Sequence, residues 1–94
     1  MPNDHLEVKE SHINYGKMKI IPNPGSDHVS FTLEGNNDRI RDFTVYDVFG
    51  RMVISGRIAG DNRDIIDISR LSSGLYVLIV KTSDKIYSGK IIKS

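Results

Sequence analysis

The chain has 94 residues, 38% hydrophobic and 27% charged, with 13 basic and 12 acidic side chains and a formal net charge of +1. A single hydrophobic core serves a chain of this length, so one small domain is expected. The even charge balance argues against a nucleic-acid binder, which depends on a clustered basic surface, and the absence of cysteine excludes both a disulfide framework and a thiolate metal site.

Residues 1–17 come first and differ in texture from the rest. Pro2, Asn3, Asp4, Glu7, Lys9, Glu10, Ser11, His12, Asn14 and Gly16 leave only scattered apolar positions. Such a stretch buries too little to offset its ordering entropy, so a flexible linker is expected, with at most a weak strand around His5–Val8. Met1-Pro2-Asn3-Asp4-His5 has no basic start followed by an apolar stretch and is not a secretory leader. No run approaches the ~18 apolar residues of a membrane span.

From residue 18 onward, short β-rich runs alternate with turn residues. Met18–Ile21 is closed by Pro22-Asn23-Pro24-Gly25, because proline removes a ladder donor and holds its predecessor extended. In His28–Leu33 the apolar Val29, Phe31 and Leu33 alternate with polar residues, the period of a half-buried strand. Phe43–Val48, Met52–Ile58 and Asp64–Ile68 follow, separated by turns at Phe49-Gly50-Arg51 and Gly60-Asp61-Asn62. Ser69–Ser73 then bridges from one sheet to the other. Leu75–Val80 is apolar without alternation, which predicts a central strand covered on both faces. Gly74 before it supplies either a special backbone conformation or a close approach. Ile86–Ile92 is the last strand. Seven strands at this spacing, with no amphipathic helix, predict an all-β, immunoglobulin-like antiparallel β-sandwich.

Catalytic inventories fail. His5, His12 and His28 lack metal-ligand spacing, no serine sits in a nucleophile elbow, and no glycine pattern cradles phosphate. Asp61, Asp64 and Asp67 fall on a turn and a strand, where turn support is the default. The reading is of a non-enzyme that needs no cofactor and no metal. An appended carbohydrate-binding or adhesion module is the alternative. It would present exposed rings, yet there is no Trp, and only Tyr15, Phe49 and Tyr87 lie outside the main core pattern.

Four pieces occur in a telling order: "IIPNP" at Ile20–Pro24, "VYDVFGR" at Val45–Arg51, "IDISRLSSGLYVL" at Ile66–Leu78 and "GKIIK" at Gly89–Lys93. Together they resemble the type A C-terminal sorting domain of the type IX (Por) secretion system of Bacteroidetes, over about residues 18–94. Ile68 in place of the commoner Leu, and Ser94 beyond the basic ending, are small departures. The resemblance implies a secretion signal joined to an upstream cargo domain and recognised in the periplasm. It implies partners in the type IX machinery, including an outer-membrane shuttle protein and a sortase-like signal peptidase. That peptidase would cut within residues 1–17 and anchor the cargo at the cell surface.

Gly89, Lys90, Ile91, Ile92 and Lys93 are the recognition candidates. Lys90 and Lys93 either discourage pairing at a solvated edge or mark an edge that docks, partly by strand addition. Pro22, Asn23, Pro24, Tyr46, Asp47, Gly50, Arg51, Asp67, Ser69, Leu71, Gly74 and Tyr76 are read as the framework of the motifs. In particular, Asp47 accepts from its turn backbone, Asp67 and Ser69 tie the bridge, and Tyr76 is a buried ring with a bonded hydroxyl. Exposed edges leave a homodimer by strand exchange open.

Overall fold

The computed structural model describes residues 15–35, 39–57 and 63–94. Eight strands form two sheets: β1 (Tyr15–Gly16), β2 (Met18–Ile21), β3 (His28–Leu33), β4 (Ile40–Tyr46), β5 (Met52–Arg57), β6 (Arg63–Asp67), β7 (Gly74–Thr82) and β8 (Ile86–Lys93). The larger sheet has the order β1-β8-β7-β4-β5 and the smaller β2-β3-β6. This division of strands is that of an immunoglobulin-like sandwich, and the seven expected strands are all present. The eighth, β1, is a two-residue strand that pairs parallel to the start of β8, with Tyr15 opposite Ile86. It lies inside the stretch expected to be linker. The weak strand expected at His5–Val8 lies outside the described residues.

The core follows from period two. Val29, Phe31 and Leu33 of β3 face Val45 of β4, Leu78 and Val80 of β7, and Tyr87 and Ile91 of β8, all at most 2% exposed. Each such side chain contributes roughly 1.5–3 kcal/mol through burial. Ile68, also fully buried, closes the core beneath the bridge from β6 to β7.

One expectation is corrected. In β7 burial alternates: Tyr76, Leu78, Val80 and Thr82 point inward, while Leu75, Val77 and Ile79 point outward and are exposed or half-buried. The strand is central within its sheet, flanked by β4 and β8, but no described element covers its outer face. Alternation is absent from the sequence because the outer face is itself apolar.

Candidate functional site at one pole of the sandwich

The antiparallel registers place β2's end, β3's start, β4's end, β5's start, β6's end, β7's start and β8's end at the same pole. The turns of all four sequence motifs therefore gather there. The opposite pole carries Glu34-Gly35 and Ser83–Lys85, which belong to none of the motifs.

Asp47 organises the turn between β4 and β5. Its Oδ1 accepts the backbone N–H of Phe49 and of Arg51, each at 2.9 Å, while Arg51 Nε donates to Oδ2 at 2.8 Å. Backbone bonds from Asp47 N to Arg51 O and from Gly50 N to Asp47 O close the loop. Gly50 holds φ at 83° in open space, so glycine is required there for its backbone alone. The Arg51 backbone N–H foremost, then its guanidinium and the Phe49 N–H, hold the Asp47 carboxyl below its usual range. Anchored this way, the turn projects Val48 and Phe49 into solvent, with Phe49 79% exposed and the Arg51 guanidinium 5.4 Å from its ring centre.

The bridge after β6 is tied in a similar manner. Asp67 Oδ1 accepts Ser69 Oγ at 2.7 Å and Ser69 N at 2.9 Å. The hydroxyl is the main reason its carboxyl sits low, followed by the amide and the charges of Arg70 and His28. Ile68 N donates to Asp27 O, and Leu71 N to Ile68 O, while Leu71 packs on the core. The buried Tyr76 donates its hydroxyl to Ser72 O at 2.7 Å, fixing the loop that delivers Gly74. Gly74 has φ 151° with nothing near a would-be Cβ, which decides for conformation over close approach. Ser72, Ser73, Gly74 and Leu75 then face Asp47, Val48, Phe49 and Arg51 across an open depression of about 240 Å³.

The last strand is held by the first motif. Asn23 Nδ2 donates to Lys90 O and Ile92 N donates to Asn23 Oδ1, both at 2.8 Å. Gly25 N donates to Ile92 O and Ser94 N donates to Gly25 O, both at 2.9 Å. Asn23 thus presents an amide where a neighbouring strand would present a peptide group. The Ile21–Pro22 and Asn23–Pro24 bonds flanking it are both cis.

The recognition candidates separate accordingly. Ile91 is fully buried, and Gly89 lies under Ile20 and Met18, so these two build the core. Lys90 and Ile92 point outward from the sheet, and Lys93 is half-buried beside Gly25. Strand addition along Lys90–Ser94 meets backbone groups already bound to Asn23 and Gly25. Sequence reasoning did not single out Gly25 or Ser94, whose pairing spans 69 residues and leaves no local pattern. Of the rings left as exposure candidates, Phe49 is exposed, but Tyr87 is fully buried. Tyr87 lies over Gly16, whose missing side chain makes room for the ring. Among the described residues no cluster of His, Asp and Glu is placed to hold a metal ion.

The side-chain ties of Asp47, Asp67 and Asn23 at one pole of a small sandwich define a β-sandwich module with three braced loops. Comparison with known proteins identifies which: residues 19–94 match the family described as the secretion system C-terminal sorting domain, and the chain belongs to that family, a signal of type IX secretion. A curated relative, the endo-acting ulvan lyase of Formosa agariphila, is 27% identical over 92 residues, which are 96% of this chain and 17% of the lyase. The chain thus spans about a sixth of that relative's length. Among solved structures, the sulfur carrier protein SoxY from Chlorobium limicola f thiosulfatophilum is similar, with a TM-score of 0.50 and 13% identity. That match covers 98% of this chain and 94% of the other, and shows the fold alone. A type IX sorting domain directs an attached protein across the outer membrane to the surface or beyond.

Proposed function

We propose that the motif pole is the surface by which the type IX machinery recognises the folded domain in the periplasm. The observation that carries this reading is the gathering of four motifs, distant in sequence, at one pole. Phe49 and Arg51 belong to residue types enriched where proteins recognise one another. An outer-membrane shuttle protein receives this pole, and Lys90, Ile92 and Lys93 supply the side chains that β8 offers beside it.

The cargo side fits the same geometry. Tyr15 stands beside Ile86, at the pole opposite Lys93. A cargo joined through residues 1–14 therefore meets the domain about 25 Å from the motif pole, the length of an eight-residue strand. A sortase-like signal peptidase cutting in residues 1–17 would reach its bond without displacing whatever holds the pole, and would release the cargo for surface anchoring.

A fusion of a Sec signal peptide, a stable reporter and residues 1–94 tests the reading in a type IX-competent Bacteroidetes strain and in a mutant lacking the machinery. Reporter outside the outer membrane only in the competent strain supports sorting. Loss of that export in Phe49→Ser and Arg51→Ser, with the fold intact, supports the pole. Normal export by both variants sinks it.

A further inference from the structure

The outer faces of the two sheets differ. On the smaller sheet Lys19, His28, Ser30, Thr32 and Asp67 point to solvent around Ile21 and Ile65, the usual polar cover of an antiparallel sheet. On the larger sheet, the register lines up apolar side chains instead. Leu75 stands opposite Ile92; next come Val77, Tyr46 and Met52 in one row across β7, β4 and β5; Ile79 lies beyond. Leu75, Ile92 and Met52 are 42%, 44% and 62% exposed.

The charges on this face are arranged unevenly. Asp42 stands opposite both Lys81 and Arg57, at the end away from the motif pole. Lys90 stands opposite Val77, inside the apolar half, with no carboxylate in its own row or the rows beside it among the described residues. A hydrated ammonium amid apolar surface is a specificity element: it accepts a partner that brings a carboxylate and rejects one that does not.

We propose that the outer face of the larger sheet, centred on Leu75, Val77, Ile79 and Ile92, is a protein-docking face whose occupant is an apolar surface carrying a carboxylate that pairs with Lys90. This surface lies beyond the motif turns, although it shares Leu75 with the depression there. The charges select the occupant. A second copy laid face to face would oppose three cations and one carboxylate with the same set, which is repulsive. An anionic bilayer matches in sign, but membrane attachment relies on clusters of roughly 4–8 basic residues, and this face carries single, separated cations. Contact with a protein partner buries the stripe and gives Lys90 its counter-charge.

The test uses the export fusion, and its assay rests on the sorting reading. Four variants are compared with the wild type, each checked for folding by circular dichroism: Val77→Thr with Ile79→Thr, Lys90→Glu, Lys90→Arg, and Ile65→Thr on the other sheet as control. The first two lose export about tenfold or more, the scale of removing interface hot spots. Lys90→Arg and Ile65→Thr stay within about twofold of wild type. If the double variant does not fold, Ile79→Thr alone takes its place, because Lys90 also stands beside the motif pole and Ile79 does not. Export of the folded face variants at the wild-type level overturns the proposal, as does an equal loss in Ile65→Thr. Sedimentation equilibrium showing a wild-type dimer that the double variant abolishes overturns it in favour of a second copy. Flotation with phosphatidylglycerol vesicles that depends on Lys90 and Val77 overturns it in favour of a membrane. A wild-type fusion that never leaves the cell sinks the sorting reading and this partner with it, an outcome distinct from failure of the variants alone.

Discussion

Asn23 and Ile92 are 69 residues apart, yet the Ile92 N–H donates to Asn23 Oδ1 at 2.8 Å while Asn23 Nδ2 donates to the carbonyl of Lys90. One side chain does the work of a peptide group and covers the end of β8 that lies beyond its short pairing with β1. Asn23→Ala removes both bonds. Because both lie at the surface and water replaces part of them, the expected loss is about 1 kcal/mol of unfolding free energy, measured by urea titration. Amide exchange at Ile92 should accelerate more than at Tyr76 in the same variant. Unchanged protection at Ile92 would show that Asn23 is not what holds the strand end.

Acid should loosen the motif pole. Asp47 and Asp67 are both held below the ordinary carboxylate range by donors that exist only in the fold. In the window between the folded and unfolded values the unfolded chain binds more protons, so stability rises with pH there. The contribution is complete above the unfolded value of about 4 and is lost as pH falls through the lowered folded values. Urea midpoints from pH 7 down to pH 2.5 should trace that decline. Asp47→Asn with Asp67→Asn should flatten it, and an equally steep decline in that double variant would remove these two groups as its source.

Gly74 tests backbone geometry in isolation, since a Cβ there meets nothing within 4 Å and only the φ of 151° opposes it. Gly74→Ala should cost about 1–2 kcal/mol, in the range of a strained backbone position. A neutral result in thermal or urea unfolding would mean that the loop relaxes to another conformation.

Tyr87 offers the opposite sign. Its ring is fully buried, and its hydroxyl has no hydrogen-bond partner among the described residues. Tyr87→Phe should leave stability unchanged or raise it by up to about 1 kcal/mol, because the orphaned hydroxyl is desolvated without return. A loss above that size would reveal a partner for the hydroxyl.

The strands were legible where one face is polar. His28–Leu33 alternates plainly because Thr32 is exposed and Ser30 half-buried between Val29, Phe31 and Leu33. Leu75–Val80 misled because Leu75, Val77 and Ile79 are apolar on the uncovered side, so burial and composition part company there. The start of β4 was missed for a different reason: a register shift between Ile40 and Asp42 breaks the two-residue period. At two residues, β1 is too short to carry any pattern. The hydrogen bonding of Asp47, Asp67 and Tyr76 was readable because each partner lies within four residues. The clamp on β8 was not, since Pro22–Gly25 reads locally as a strand breaker whatever it later touches.

The position of β8 gives the domain a sense of completeness. This strand is the last of the sandwich to be synthesised, yet it sits inside the larger sheet, between β7 and the contacts made by β1, Asn23 and Gly25. A nascent or truncated chain ending before Ile86 therefore has a slot where Tyr87 and Ile91 should fill the core, and Asn23 has no strand to hold. The finished pole, with the Lys90–Ser94 backbone tied to Asn23 and Gly25, exists only in a chain that has been made through to those residues. A partner that bound at that pole, as proposed above, would in the same contact tell a domain translated through Lys93 from one that stops short of it.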